Sequence, residues 1–398
     1  MAMALREVAI AGYRSVKTIR FPLRQLNVFV GANGVGKTNL YRALELIRAA
    51  AAGHLARELA AEGGMASAVW AGERDPKKPV RIKLGVEFSI ADDRPIDEES
   101  TPPTGAQRYE IEIGLPPSIS SEGRIVGTRA AAFPLEPQIK EERLTDLSER
   151  PPRALLERKG PLTIALDANG RRQRHNDGLM ASETALGSLD DPLNFPDLAL
   201  ARRLMLDWRF YHDFRTDVAS PLRRPCLAVA TPTLSSDGAD LAAVFATLVH
   251  IRQDTADLDA AIDDAFPGAQ LVVPLPERHA SFGVIFPDYP KRIFEASELS
   301  DGTLRYLALM GALLSYRPPG FIALNEPETS LHPDLLEPLA RLIVRASRQS
   351  QIWLVTHSEP LAAALAHYGG IKPRTVTRRD GATWIEGLRL IGDFADDA

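Results

Sequence analysis

Cysteine is nearly absent from this sequence of 398 residues. Its single cysteine, Cys226, has no second cysteine with which to form an intramolecular disulfide. The first residues lack the apolar core and small-residue cleavage site of a signal peptide, and no apolar run reaches the ~20 residues that a membrane-spanning helix needs. We therefore expect a cytoplasmic protein with no disulfide and no membrane segment.

Clusters of metal ligands and long helical repeats are missing as well. The eight histidines are scattered, with no carboxylate or cysteine group at ligand spacing, so a structural metal site is not expected. Residues 40–300 contain no heptad repeat sustained over several turns, which excludes a long coiled-coil arm. The net charge of −5 argues against a uniformly basic nucleic-acid-binding surface but leaves room for a local basic groove.

The remaining composition is that of a globular protein. Hydrophobic residues make up 45% of the chain and charged residues 25%, which is enough to build a large core. The length fits two or three ordinary domains, or one large α/β unit with insertions.

Residues 31–38, Gly-Ala-Asn-Gly-Val-Gly-Lys-Thr, match the phosphate-binding loop G-x-x-x-x-G-K-[ST] at every fixed position. An apolar run over 26–30 precedes the loop and a helical pattern over 39–50 follows it, which is the context that the motif requires. The alternative is a glycine-rich strand-to-helix turn with a chance lysine. We expect Lys37 to reach the outer phosphates of a nucleotide and Thr38 to bind Mg²⁺. The predicted nucleotide-binding residues of this segment are Gly31, Asn33, Gly34, Gly36, Lys37, Thr38 and Asn39.

Strands are predicted on both sides of this loop. Two short strands at 5–12 and 18–23 flank a polar segment, in which Arg14 or Lys17 either contacts nucleotide or is a solvated hairpin charge. Beyond a short helix at 54–62, period-2 patterns predict strands at 80–90, 107–115, 138–144 and 162–167. Mobile loops are expected at 91–106 and 115–128. The Asn169-Gly170 turn leads into a predicted strand at 171–175. Its Arg171, Arg172 and Arg174, together with Arg158 earlier in the chain, form either a solvated charged hairpin or a nucleic-acid contact.

Helical spacing returns at 197–215 and 237–265, and short strands follow at 282–286 and 291–294. One aromatic cluster stands out in the first of these helical segments. Core packing is favoured over a base-stacking platform for this cluster. Its members are Trp208, Phe210, Tyr211 and Phe214.

Three segments near the end of the chain carry further chemistry. Ser300, Asp301 and Gly302 precede an apolar helix at 304–316, either as an anion-binding helix start or simply as a helix cap. An apolar strand at 321–325 ends on Asn325 and Glu326, a carboxylate able to accept the proton of an attacking water. Another apolar strand, beginning at residue 352, ends on His357.

Together with the glycine-rich loop at 31–38, these three segments make four that follow one another in the order found in ABC-type ATPase heads. In this they resemble in particular the RecF/SMC-like group of bacterial AAA-family predicted ATPases. Gly-Tyr-Arg-Ser-Val-Lys at 12–17 and Glu-Pro-Glu-Thr-Ser-Leu-His-Pro at 326–333 are similar to that group too, whereas residues 90–290 match it loosely. The resemblance implies an α/β P-loop NTPase of ABC-ATPase type. It would be a bilobal head with an antiparallel β subdomain, a helical subdomain and no long coiled coil.

The resemblance also implies roles for individual residues. Residues 31–38 would be the Walker A loop, 299–303 the signature segment with Ser300 and Gly302, Glu326 the catalytic base and His357 the switch histidine. Two ATP molecules with Mg²⁺ would be sandwiched between two copies. The chain departs from the family at Asn325, where an aspartate that helps to hold Mg²⁺ is usual, so metal affinity or hydrolysis is expected to be reduced. The family's Mg²⁺-coordinating glutamine has only positional candidates, Gln107 and Gln138.

From this resemblance we expect a slowly hydrolysing ATPase that forms a homodimer through its nucleotide sites. It implies DNA repair, chromosome maintenance or phage defence, with DNA or a separately encoded effector as candidate partners. The alternative is an ATP-gated scaffold that controls an effector such as a nuclease with little turnover. A transporter's ATPase subunit is disfavoured by the β-rich insert.

The expected domain division of the chain is an N-terminal part of the head at 1–90, the β-rich insert at 91–195, a helical subdomain at 196–280 and a C-terminal lobe at 281–398.

Overall fold

The computed structural model of this protein describes residues 2–73, 79–91, 105–116, 133, 135–175 and 178–395. The helices are α1 Lys37–Ala52, α2 Leu55–Ala61, α3 Gly64–Ala68, α4 Ala185–Ser188, α5 Pro196–Leu206, α6 Leu241–Thr247, α7 Ala256–Ala265, α8 Asp301–Leu313, α9 Leu336–Ala346 and α10 Glu359–Gly369. The strands are β1 Ala2–Tyr13, β2 Val16–Pro22, β3 Leu26–Val30, β4 Arg81–Ala91, β5 Ala106–Gly114, β6 Gln138–Asp146, β7 Arg153–Lys159, β8 Leu162–Leu166, β9 Arg172–His175, β10 Arg209–Tyr211, β11 Cys226–Leu227, β12 Gln270–Val272, β13 His279–Ala280, β14 Gly283–Ile285, β15 Phe294–Glu295, β16 Phe321–Asn325, β17 Gln351–Thr356, β18 Arg374–Arg379 and β19 Ala382–Ile385.

The chain divides into two compact units, each built from separate segments. The first contains Met1–Arg24, Gly31–Trp208 and Thr375–Ala398, and the second contains Gln25–Val30 and Arg209–Arg374. The four-part functional division predicted from the sequence stays a prediction.

An eight-stranded antiparallel sheet dominates the first unit, in the order β2-β1-β4-β5-β6-β7-β8-β9. In β5 and β8, and in β4 up to Phe88, every second residue is buried, as the period-2 pattern predicts. Helix α1 packs on strands β1 and β4 and against α5, because Leu40, Leu44 and Ile47 recur at helical spacing on its buried face. The helix ends at Gly53, which adopts a left-handed conformation with φ of 80°.

The second unit contains four parallel strands in the order β10-β16-β17-β3. All residues of β16 and β17 are buried, which explains why these segments are continuous apolar runs rather than alternating ones. One hydrophobic core joins these strands to α6, α8, α9 and α10. The predicted parallel strands at 26–30, 321–325 and from 352 are confirmed.

Most of the other predicted elements are also found, including the helix at 54–62 and the strands at 80–90, 107–115, 138–144 and 162–167. The aromatic cluster that contains Trp208 is buried core, as predicted. The predicted loops at 91–106 and 115–128 lie largely outside the described residues. No helix in the described ranges is both long enough and apolar enough to span a membrane.

Several predictions about secondary structure are wrong. The helix predicted over 237–265 is divided into α6, a π-helix at Leu248–Arg252 and α7, and the strand predicted over 291–294 is limited to β15, Phe294–Glu295. The helix predicted over 197–215 ends at Leu206, because the following aromatic residues form β10 and pair with β16. Strand β7 was not predicted, because Arg158 within it looked like part of a solvated basic cluster. This side chain is only 2% exposed and donates to the backbone carbonyls of Gly160, Met180 and Glu183, so it is a structural residue.

Candidate functional site

Three neighbouring parallel strands of the second unit end at one edge of their sheet. Asn325 at the end of β16 is in register with Val355 of β17, and Thr356 of β17 is in register with Val30 of β3. The carboxyl ends of parallel strands are where α/β sheets bind ligands. The register therefore brings Asn325, Glu326 and His357 to this edge, and the glycine-rich loop follows Val30 directly in the chain.

Asn325 occupies a buried position at this edge. Its Nδ2 lies 2.5 Å from Nδ1 of His212, the residue that follows β10. Its Oδ1 is buried and has no hydrogen-bond partner among the described residues. A buried carbonyl oxygen without a partner is costly, so this atom is well suited to accept a ligand.

Glu326 adopts an unusual backbone conformation for a residue with a side chain. Its φ is 50°, in the left-handed region, which costs about 1–2 kcal/mol for such a residue. Its N–H donates to the Val355 carbonyl at 2.8 Å, and its own carbonyl accepts from Arg305 Nη2 at 3.3 Å. These two bonds hold the backbone on both sides, so the side chain of Glu326 leaves the strand end from a fixed backbone position.

Arg305 lies on α8 and connects this helix to the strand end. Its side chain is 6% exposed and reaches Asp213 Oδ1 at 3.1 Å as well as the Glu326 carbonyl. Helix α8 starts within the predicted signature segment, at Asp301, so Arg305 joins that helix to the candidate base.

Glu328 organises the loop that carries the histidine. One oxygen, Oε1, accepts from the Thr356 hydroxyl at 2.5 Å and from the backbone N–H groups of His357 and Ser358 at 3.1 and 3.2 Å. The His357 Nδ1 atom lies 3.3 Å from the same oxygen and 3.6 Å from Glu326 Oε2. Two carboxylates facing Nδ1 favour a proton on this nitrogen, and neither of them engages Nε2.

In the first unit, the glycine-rich loop leads into the N-terminus of α1. Gly36 is the N-cap residue, with φ of 100°, and the first turn contains no acidic residue. Because glycine brings no capping side chain, the first N–H groups of α1 are left to bind an anion. The Lys37 ammonium is buried and donates to the carbonyls of Gly31 and Ala32 at 2.5 and 2.9 Å, while Thr38 is exposed.

The residues at these positions fit the chemistry of ATP and Mg²⁺. Glycines with positive φ, a lysine and an uncapped helix start suit phosphate oxygens. The buried oxygens Asn325 Oδ1 and Glu328 Oε2 have no partner among the described residues and suit a hard cation. Nowhere in the described ranges do three acidic, histidine or cysteine side chains converge on a metal position. A cation here would therefore take further ligands from phosphate and water, as Mg²⁺ commonly does.

The predicted signature segment begins α8. Ser300 is its N-cap and accepts from the Thr303 N–H at 3.2 Å. Gly302 lies close to the next segment, since a Cβ at this position would be 3.0 Å from the Ser330 carbonyl oxygen. Ser300 is exposed, so capping the helix leaves its side chain accessible.

Arg223 holds this segment in place. Its Nη1 donates to the carbonyls of Leu299 and Ser297 at 2.7 and 3.1 Å, and its Nη2 contacts Asp301 at 2.6 Å. Its Nε donates to the Thr216 carbonyl at 2.8 Å. One guanidinium thus connects the segment after β10 to the start of α8.

Other predicted residues have partners of their own. The Arg14 guanidinium contacts Glu62 at 2.8 Å, so its contact with nucleotide stays a prediction. Tyr13 donates to the same carboxylate, and burial together with the nearby Glu62 charge raises the pKa of the phenol. Gln107 is buried in β5, and Gln138 accepts from Lys140 at 2.9 Å.

The sequence did not identify Arg223, Arg305 or His212 as functional residues. None belongs to a recognisable motif. Arg223 contacts the start of α8 from 76 positions away, His212 follows a strand that was not predicted, and Arg305 contacts Glu326 across 21 positions that span a helix and a strand. The one signal for His212 and Asp213 was their position beside the buried aromatic cluster.

A family model described as "AAA domain, putative AbiEii toxin, Type IV TA system" matches residues 26–364, which is more than half of the chain. No curated protein matches the sequence.

Two solved structures are similar over nearly their whole length. One is an Smc head bound to the C-winged helix domain of ScpA, with 17% identity, a TM-score of 0.54 and coverage of 97% of this chain and 98% of that one. The other is a Pyrococcus furiosus Smc head domain with an extended coiled coil, bound to the C-terminal domain of ScpA. It has 14% identity, a TM-score of 0.53 and coverage of 98% and 97%. Identities this low establish the fold alone, and the fold is the predicted α/β P-loop ATPase head.

Proposed function

We propose that this chain, which belongs to the AAA-domain family whose model matches residues 26–364, binds ATP with Mg²⁺, hydrolyses it slowly and pairs with a second copy when ATP is bound. The observation that carries the proposal is the meeting of Glu326 and His357 at the end of two parallel strands. The Glu326 carboxylate lies 3.6 Å from His357 Nδ1, and Arg305 and Glu328 fix the two backbones.

The phosphates would be bound by the glycine-rich loop. The N–H groups at the start of α1 and the Lys37 ammonium would neutralise phosphate charge, and the Thr38 hydroxyl would bind Mg²⁺. In the second unit, Asn325 Oδ1 is the proposed oxygen ligand for Mg²⁺. When bound, Mg²⁺ neutralises charge on the phosphate oxygens. To bind the outer phosphates, Lys37 would exchange its bonds to the Gly31 and Ala32 carbonyls for bonds to phosphate.

Glu326 is the proposed general base. The oxygen of a water molecule attacks the γ-phosphorus, the bond from that phosphorus to the bridging oxygen breaks, and ADP leaves. The proton of the water passes to Glu326 and then to phosphate. His357 would contact the terminal phosphate by donating from an Nε2–H, because phosphate oxygens only accept hydrogen bonds.

A second copy would complete the site. Ser300 and Gly302 stand at the exposed start of α8, where an N-terminus presents N–H groups to an anion. In the proposed homodimer, this signature segment of one copy contacts the ATP that the glycine-rich loop of the other copy binds. Each dimer then holds two ATP molecules.

Phosphate release by wild type and Glu326→Gln tests the proposal. We expect a rate about 10²-fold or more lower for Glu326→Gln, because the amide cannot accept the proton. The matched control is Glu359→Gln, an exposed glutamate at the start of α10, which should match wild type. Equal phosphate release by wild type and Glu326→Gln would contradict the enzyme proposal.

A scaffold with little turnover is the second candidate, and Asn325 favours it. An amide at this position provides an oxygen without the charge that strengthens Mg²⁺ binding. In that case ATP would still raise the mass of the wild-type chain to that of a dimer, while phosphate release stayed at the level of Glu326→Gln. The chain would then act as an ATP-gated regulator of a separate effector such as a nuclease.

The pathway is proposed from the family resemblance: DNA repair, chromosome maintenance or phage defence. ATPase rates with and without duplex DNA at two salt concentrations separate a DNA-engaged head from a protein-only switch. Stimulation that weakens with salt identifies contacts to phosphates of the DNA.

A further inference from the structure

A chain of hydrogen bonds supports the glycine-rich loop from outside. Asn39, in the first turn of α1, donates from Nδ2 to the Ser15 hydroxyl at 2.6 Å. The Ser15 and Thr383 hydroxyls lie 2.6 Å apart, and Thr383 donates from Oγ1 to the Val35 carbonyl at 2.8 Å. Ser15 lies in the turn between β1 and β2, and Thr383 lies in β19 near the other end of the chain. We call Asn39, Ser15 and Thr383 the hydroxyl relay.

The direction of every bond in the hydroxyl relay is fixed. Each hydroxyl has one proton to donate. Since Thr383 gives its proton to the Val35 carbonyl, it must accept from Ser15, and Ser15 in turn accepts from Asn39. Donors and acceptors that polarise one another in sequence strengthen each other. The relay therefore starts at Asn39 and ends at Val35, on either side of the residues 36–38 that are proposed to bind phosphate.

The backbone of the loop is shaped around these hydroxyls. An ideal Cβ on Gly36 would lie 2.0 Å from Thr383 Oγ1 and 2.4 Å from Ser15 Oγ, so a side chain would displace both. The first glycine is approached in the same way, because a Cβ on Gly31 would lie 2.5 Å from the Val376 carbonyl oxygen of β18. The β18–β19 hairpin thus contacts the loop near its first and last glycines. The motif alone gives no reason for this second constraint on Gly36.

Thr383 is well placed to impose this shape because it is itself immobilised. It is only 1% exposed, and its N–H donates to the Ser15 carbonyl at 2.8 Å. The hairpin that carries it is paired from Val376–Ile385 to Arg379–Ala382. A hydroxyl on this paired strand holds the Val35 carbonyl, which leaves the N–H groups of the following residues to bind an anion.

We infer that Thr383 and Ser15 are positioning residues that preorganise the loop for the phosphates of a nucleoside triphosphate. The inference rests on the proposed function, because it assumes that this loop binds ATP. Neither residue needs to touch the nucleotide. Loss of the relay should weaken ATP binding, since part of the binding free energy would then be spent on ordering the loop.

The test compares Thr383→Val, which removes the hydroxyl at nearly constant shape, with Thr383→Ser, which keeps it. Binding of ATP with Mg²⁺ to the full chain is measured by titration calorimetry. We expect about 5- to 10-fold weaker binding for Thr383→Val, the typical effect of one hydrogen bond, and binding within about twofold of wild type for Thr383→Ser. The matched control is Thr163→Val in β8, since Thr163 is equally buried but its hydroxyl has no partner among the described residues. Thr163→Val should bind ATP like wild type.

Steady-state kinetics separate positioning from general damage to the fold. With Thr383→Val, KM for ATP should rise while kcat at saturating ATP stays at the wild-type value, because the reacting groups are unchanged. The double variant Ser15→Ala with Thr383→Val should bind ATP no more weakly than the worse single variant, since both break the same relay.

The outcomes separate the inference from the function on which it rests. If wild type does not bind ATP, the proposed function fails and the inference with it. If wild type binds ATP and Thr383→Val binds it equally well, the inference alone is overturned. Additive losses in the double variant, or a fall in kcat at saturating ATP, would also overturn it.

Discussion

At the scale of single residues, Asn325 determines how tightly the proposed site is expected to bind Mg²⁺ and how fast it is expected to hydrolyse ATP. Its Nδ2 faces His212 and its Oδ1 is buried without a partner among the described residues. The position therefore has one oxygen to offer a metal and no negative charge. The position could be identified from the sequence, whereas its contact with His212 depends on the pairing of β10 with β16.

Replacement of Asn325 by aspartate should strengthen the metal site. One carboxylate oxygen would replace Nδ2 beside His212, whose Nδ1 must carry a proton to donate to it, and the other would add negative charge where Mg²⁺ is proposed to bind. We expect half-maximal ATPase activity at an about 3- to 10-fold lower Mg²⁺ concentration in Asn325→Asp. The control Asn169→Asp, in an exposed hairpin turn, changes the total charge equally and should leave the Mg²⁺ dependence unaltered. An unchanged Mg²⁺ dependence in Asn325→Asp would argue against a metal ligand here.

The residues that form the proposed site were predictable only where a motif contains them. Residues 31–38, Ser300, Glu326 and His357 follow from local sequence, because each stands at the start of a helix or the end of a strand. Ser15 and Thr383 are 368 positions apart, so their contact depends on the folded chain. The same holds for Arg305, whose buried contacts to Asp213 and Glu326 have no sequence signal.

At the scale of secondary-structure elements, the start of α8 depends on one arginine. Arg223 donates to the backbone carbonyls of Leu299 and Ser297 and contacts the Asp301 carboxylate. The Asp301 side chain is 61% exposed, and exposed ion pairs contribute less than about 1 kcal/mol. The bonds to backbone carbonyls are therefore the ones that fix the signature segment.

Because the bonds from Arg223 to backbone carbonyls matter more than its ion pair with Asp301, substitutions of these two residues should have unequal effects. Arg223→Met should lower ATPase activity and ATP-dependent dimer formation by about tenfold, because the carbonyls lose their donor and the segment is released. ATP binding by the monomer should change by less than about twofold. Asp301→Asn, the matched variant at the other end of the ion pair, should behave like wild type in all three measurements. Equal effects of the two substitutions would contradict this account of the segment.

The elements themselves were predictable to different degrees. The apolar strands β3, β16 and β17 were found because strands buried on both faces are continuous apolar runs. Strand β7 was missed because its buried Arg158 breaks the usual alternation while satisfying backbone carbonyls. Strand β10 was missed because its aromatic residues also fit a helical spacing, and only pairing with β16 decides between the two.

At the scale of the whole molecule, the proposed reaction uses residues from distant parts of the chain and from a second copy. In this proposal the glycine-rich loop would bind the phosphates, the strand ends would supply the base and the histidine, and the signature segment would act on the ATP of the partner copy. No motif in the sequence specifies how tightly two copies associate. The homodimer is thus the central claim that a direct experiment must test.

Mixing two inactive variants tests that claim most directly. Lys37→Ala removes phosphate binding but keeps the signature segment, and Ser300→Asp keeps the helix cap but places a negative charge toward the partner's phosphates. Each variant alone should be inactive. Equal mixtures would form one intact site in half of the dimers, which predicts about a quarter of the wild-type ATPase rate. A mixture no more active than the sum of its parts would contradict ATP sites shared between two copies.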